Sequence, residues 1–89
     1  MKTIYIAEDE EFIRELYEIA LCEKYKVMAF SHAEGVLNAF NEQEPHLLLT
    51  DHRMGPGLTG DELISLVRRN GYQGEVLIVS GTIPLWCYI

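Results

Sequence analysis

Three short stretches hold the side chains best suited to chemistry: Glu8-Asp9-Glu10, Asp51, and Ser80 with Gly81 and Thr82 behind it. Each directly follows a short run rich in apolar residues, Thr3–Ala7, Leu47–Thr50 and Glu75–Val79 respectively. The chain has three aspartates, and two of them stand in these stretches. Carboxylates brought together repel: two unit charges ~4 Å apart cost roughly 4 kcal/mol at an effective dielectric of 20. A divalent cation relieves that cost, and oxygen-only ligands with open water positions suit Mg²⁺. A carboxylate beside such an ion is also a nucleophile towards phosphorus, giving an acyl phosphate. The transfer then needs mainly positioning and charge neutralisation. Singly, each stretch has a plainer reading. Glu8 and Asp9 favour a helix N-terminus, and Asp51 and Ser80-Gly81 suit turns. Their recurrence at successive strand ends is what points to a site.

The elements between them explain how they meet. Thr3–Ala7 is apolar without alternation, as in a strand buried on both faces. A helix follows, with Phe12, Ile13, Leu16, Ile19 and Ala20 on one stripe and Glu11, Glu15 and Glu18 off it. Lys26–Phe30 is a second strand. Ser31 and Glu34 form a capping box that opens a helix bearing Ala33, Val36, Leu37 and Phe40, stopped by Pro45. Leu47–Thr50 is the third strand. Thr59 and Glu62 form a second capping box, opening a helix with Leu63, Ile64 and Val67. Arg68 and Arg69 complement its dipole, and Gly71 closes it in the left-handed conformation. Glu75–Val79 is the fourth strand. The order βαβαβαβ makes a parallel sheet with helices on its faces. Right-handed crossovers place all strand C-termini on one rim, where ligands bind at the reversal of winding.

Composition narrows the function. The 89 residues are 48% hydrophobic, enough for one core. The net charge of −7 leaves no basic stripe for nucleic acid. No apolar run is long enough for a membrane span, and the start has no signal-peptide pattern. Cys22 and Cys87 make neither a disulfide framework nor a metal spacing, which predicts a cytoplasmic setting. Cys22 reads as a buried thiol. Met28, Phe30 and Met54 read as packing residues, and His32 and His46 have no metal-ligand spacing.

With its strand-end acids in this order, the sequence resembles the receiver domain of two-component response regulators. The resemblance is carried by Ile4–Glu10, by Leu47–Asp51 with Gly60 and Leu63 downstream, and by Val76–Gly81. It implies a flavodoxin-like, doubly wound parallel sheet with strand order 2-1-3-4. It also implies that Asp51 accepts a phosphoryl group from a sensor histidine kinase or phosphotransfer protein. Mg²⁺ would be held by Glu8, Asp9, Asp51 and the backbone carbonyl of Arg53. Ser80 would contact the phosphoryl group, and Gly81 would leave room for it. Enzyme activity on an external substrate is not implied, only Mg²⁺-dependent self-phosphorylation and self-dephosphorylation.

Departures from the family pattern qualify these expectations. Gly55 reads as an insertion before Pro56, and His52 and Arg53 add positive potential beside Asp51. Receivers continue to a fourth helix, a fifth strand with a phosphoryl-pairing lysine, and a fifth helix. None of Lys2, Lys24 or Lys26 is assigned to that lysine, since all three belong near strand starts. The expected organisation is therefore a receiver-like domain over 1–82 without those last elements, and an apolar tail over 83–89. An open fourth-strand edge and the tail Ile83–Ile89 suggest a homodimer. The alternative function is a switch-deficient receiver acting as an interaction or dimerisation module. A Mg²⁺-dependent phosphatase with an aspartyl-phosphate intermediate fits less well, because Arg53 stands where such enzymes place an acid/base aspartate.

Overall fold

A computed structural model describes residues 1–52 and 57–79. The chain alternates strictly: β1 (Thr3–Ala7), α1 (Glu11–Leu21), β2 (Lys26–Phe30), α2 (Ala33–Phe40), β3 (Leu47–Asp51), α3 (Gly60–Arg69) and β4 (Glu75–Val79). All pairings are parallel, and the sheet runs β2-β1-β3-β4. The expected flavodoxin-like order is therefore observed. β1 is buried along its whole length, which accounts for its unbroken apolar sequence. Edge strand β2 instead leaves Lys26 and Met28 exposed, so Met28 is not the packing residue its type suggested.

The core divides by sheet face. Tyr5, Ala7, Leu48 and Val76 pack with Val36 of α2 and Leu63 and Val67 of α3. Phe30, Tyr5, Phe40 and Tyr72 form a row of edge-to-face contacts through this layer, with centroids 4.9–5.5 Å apart. Tyr72 is buried, and its hydroxyl donates to the Pro45 carbonyl at 2.9 Å. On the other face, Ile4, Ile6 and Leu49 pack against Tyr17 and Leu21 of α1.

Here α1 departs from expectation. Tyr17 and Leu21, one turn apart, meet the sheet, while Phe12 and Ile19 are 67% and 71% exposed. The apolar stripe read from the sequence is real, but it lies beside the packed stripe rather than on it. Cys22, expected to be buried, is exposed at the C-terminus of α1.

The helix ends show which local signals acted. Thr59 and Glu62 form the full capping box, with Glu62 N–H donating to Thr59 Oγ1 at 3.1 Å and Thr59 N–H to Glu62 Oε1 at 2.9 Å. The Ser31–Glu34 box does not form. His32 is the N-cap of α2 without a side-chain cap bond, and Ser31 Oγ lies 2.9 Å from His32 Nδ1 instead. Gly71 follows the C-cap of α3 with φ +100°, as its place in the sequence required.

Gly60 has a different reason to be glycine. A Cβ there would lie 2.1 Å from the Asp51 carbonyl oxygen. The start of α3 thus packs backbone to backbone against the end of β3. Gly60→Ala must push these elements apart, an overpacking cost of about 1–3 kcal/mol. A fall in urea midpoint at unchanged m-value is expected. An unchanged midpoint would mean the contact is looser than this packing requires.

Candidate functional site

The strand register sets the site. Ala7 pairs with Thr50, and Asp51 pairs with Val79. Glu8, the next residue after Ala7, therefore comes level with Asp51 at the C-terminal rim. A carboxylate oxygen from each of Glu8, Asp9 and Asp51 lies within 4.8 Å of the others. Glu8 is only 5% exposed, Asp51 is half-buried and Asp9 is exposed. The structure thus brings together three of the residues singled out in the sequence. Arg53 and Ser80 fall outside the described residues, as do Gly81 and the tail 83–89.

Backbone contacts fix the buried member of this group. Glu8 N–H donates to the Phe30 carbonyl at 3.0 Å, continuing the β1–β2 ladder one residue past the end of β1. Glu10 N–H donates to Glu8 Oε2 at 3.1 Å, turning the carboxylate back over the loop. The Glu8 carboxyl is pushed up to about 7, chiefly by burial. The Glu10 amide opposes the shift, while the charges of Asp51 and Asp9 add to it. Tyr17 is also raised, by burial first and then by the charges of Glu8 and Asp51. Among the described residues, negative charge therefore gathers at this rim, where the charges of Asp51 and Asp9 disfavour that of Glu8.

That charge, with an all-carboxylate donor set, fits a hard divalent cation such as Mg²⁺. Glu8, Asp9 and Asp51 are the side chains that would hold it. Aggregation of the same charges without an ion costs stability.

Asp51 is held from several sides. The next residue, His52, donates its N–H to the Val79 carbonyl at 3.1 Å and accepts from Gly60 N–H at 3.1 Å. The chain leaving Asp51 is thus tied to both β4 and α3. His52 Nδ1 lies 3.4 Å from Asp61 Oδ2, with both side chains more than half exposed. Such a pair contributes little stability. The His52 side chain is therefore turned towards Asp61 of α3.

Two contributors were not singled out from the sequence. Arg14 Nη1 donates to the Glu8 carbonyl at 2.9 Å, and Tyr17 feels the charges of the rim. Their spacing holds the signal. Arg14 and Tyr17 stand three apart, on adjoining turns of α1 that face the β1 end.

Comparison with known proteins agrees with this arrangement. A family model described as the response regulator receiver domain matches residues 4–84. The DNA-binding transcriptional regulator NtrC of Proteus hauseri is 35% identical over 78 residues. That match covers 86% of this chain, and the chain spans only 16% of that regulator's length. Response regulator protein TrrA of Thermotoga maritima, solved in complex with Mg²⁺ and BeF, superposes with a TM-score of 0.82 at 28% identity. The match covers 90% of this chain and 70% of that one. A structure of histidine kinase ThkA in complex with TrrA matches with a TM-score of 0.84 at 27% identity, covering 94% of this chain and 72% of that one.

Proposed function

Because the chain belongs to the response regulator receiver domain family, we propose that it is a phospho-acceptor module in which Asp51 takes a phosphoryl group from a histidine kinase. The observation that carries this reading is the meeting of Glu8, Asp9 and Asp51 within 4.8 Å at the strand C-termini. A bound Mg²⁺ would supply charge neutralisation for the carboxylates and for the incoming phosphoryl oxygens. The chain's own residues do the rest. β3 and the ties on His52 hold the Asp51 carboxylate in place for attack on phosphorus. One Asp51 oxygen forms the new P–O bond as the bond to the donor nitrogen breaks, and the donor imidazole leaves. Glu8 is the buried counter-charge that stays fixed by the Glu10 amide. Outside turnover of its own acyl phosphate, no reaction on a separate substrate is proposed.

The test uses the whole chain with acetyl phosphate and Mg²⁺, followed by intact mass. One phosphoryl adduct that disappears when Mg²⁺ is chelated is expected. No adduct at any donor concentration favours the second reading, a receiver fold retained as an interaction or dimerisation module. One observation favours that alternative. Among the described residues, β4 is paired on one side only. Association through that edge and the tail 83–89 would show as a concentration-dependent mass in sedimentation.

Partnership with a kinase has a surface to use. The exposed Phe12 lies in the first turn of α1, three residues after Asp9, and the stripe it starts continues through Leu16 and Ile19. The neighbouring Glu11 and Glu15 are also exposed. Phe12→Ser with Ile19→Ser is expected to slow phosphoryl transfer from a kinase at least about tenfold. Labelling by acetyl phosphate should stay unchanged, because neither residue touches the carboxylates. Equal slowing with both donors would place the defect in the fold instead.

A further inference from the structure

At the end of the molecule opposite the acidic rim, the C-terminal halves of α2 and α3 leave a groove of about 530 Å³ between them. That volume lies in the range of sites that hold a small ligand or a few residues of peptide. Its apolar wall includes Phe40 and Leu66, and its polar side carries Asn38, Asn41, Asn70 and Glu44. Asn41 and Asn70 are the C-caps of the two helices, so both helices direct their negative ends towards this groove. Glu44 is the one charged residue lining it among the described residues. The nearby cations are turned elsewhere. Arg68 donates to the Tyr72 carbonyl at 2.9 Å and lies over the Tyr72 ring, and Arg69 lines a separate depression with Leu58 and Asp61. The Tyr72 phenol is pushed up to about 12, chiefly by burial; Arg68 opposes the shift, and Glu44 and Glu75 add to it.

We propose that this groove docks an extended peptide segment of a partner protein carrying a basic side chain. The asparagine amides each offer a donor and an acceptor, the complement of a peptide's own N–H and C=O groups. Among the described residues, no hydrogen bond engages the side chains of Asn38, Asn41 or Asn70. The apolar wall suits the aliphatic stem of arginine or lysine, which packs while its charged end stays at a polar rim. Glu44 provides the matching charge there, and the net charge of −7 favours a cationic partner over a second copy of this chain. The groove is independent of the acceptor chemistry, because none of its residues touches Glu8, Asp9 or Asp51.

The experiment titrates ¹⁵N-labelled protein with an N-acetylated, C-amidated alanine–arginine–alanine tripeptide at about 0.15 M salt, where exposed charges are screened. Saturable amide shifts confined to residues 37–44 and 66–70 are expected. Glu44→Gln should weaken binding at least about fivefold, and a tripeptide with glutamine in place of arginine should produce no saturation. Labelling by acetyl phosphate should be the same in Glu44→Gln as in the parent, so failure here is separable from failure of the acceptor reading. The proposal is overturned by an absence of saturable shifts, by equal affinity in Glu44→Gln, or by shifts centred on Glu8, Asp9 and Asp51. Spermidine binding as tightly as the tripeptide would also overturn it, since the groove would then read a free cation and not a peptide.

Discussion

Asp51→Asn is expected to remove phosphoryl incorporation from acetyl phosphate altogether while leaving the chain folded. An amide offers no carboxylate oxygen to attack phosphorus, and the neighbouring acids are poor substitutes. Glu8 is 5% exposed, with its carboxylate turned back over its own loop by the Glu10 amide. Asp9 is exposed, outside the ties that β3, β4 and α3 impose on the acceptor. The same substitution has a second, opposite effect on stability. It deletes one of three carboxylates whose oxygens lie within 4.8 Å, so the metal-free variant should melt a few degrees above the parent. It should also bring the Glu8 carboxyl back down, since the Asp51 charge is one of the causes that raise it. Intact mass and thermal unfolding in a chelator read the two effects separately. A persisting adduct would assign acceptance to another carboxylate, and a lower melting temperature would show that attraction, not repulsion, dominates the cluster.

Asp51 and its acidic neighbours were legible because strand ends are the best-determined points of a parallel α/β chain. Unbroken apolar runs such as Thr3–Ala7 fix where β1 stops, and crossover handedness then puts Glu8, Asp9 and Asp51 on one rim. The capping box at Thr59 was equally legible, because Thr59 and Glu62 satisfy each other locally. The face of α1 was not. Phe12, Leu16 and Ile19 have a helical period, but so do Tyr17 and Leu21 beside them, and periodicity does not say which stripe meets the sheet. Tyr17 prevails because it packs against the cluster of Ile4, Ile6 and Leu49 and lies within the field of Glu8 and Asp51. The α2 N-terminus failed for a related reason. Ser31 fits a capping pattern, yet the helix starts at Ala33, one residue too late for Ser31 to be the cap. The close approach at Gly60 was also hidden, since a glycine near a helix start has several ordinary uses. Only the position of the Asp51 carbonyl shows that a side chain has no room there.

Stability in the absence of divalent metal is expected to fall as pH rises from about 4.5 to about 7, and Mg²⁺ should reverse that loss. Glu8 ionises near 4.5 when unfolded and near 7 when folded. Below that window it is protonated in both states, and its contribution to stability is fully present. Within the window the unfolded chain gives up the proton while the folded chain keeps it, so folding is disfavoured progressively. The whole shift corresponds to on the order of 3 kcal/mol. For a chain of this size that is roughly 10–20 °C in melting temperature between pH 5 and pH 8. Mg²⁺ favours the ionised carboxylates, so it should stabilise strongly at pH 8 and weakly at pH 5, with proton release on binding in between. Glu8→Gln removes the titrating group but keeps the shape and the acceptor of the Glu10 amide. Its metal-free melting temperature should therefore change less with pH than the parent's, and Mg²⁺ should add little at either pH. Parallel pH profiles for parent and variant would mean that the slope arises from the other carboxylates of this acidic chain. A flat difference in the Mg²⁺ effect would remove Glu8 from the cation site while leaving Asp51 as the acceptor. The two roles at this rim are thus separable by measurement: Asp51 through the covalent adduct, and Glu8 through the linkage of protons, metal and folding.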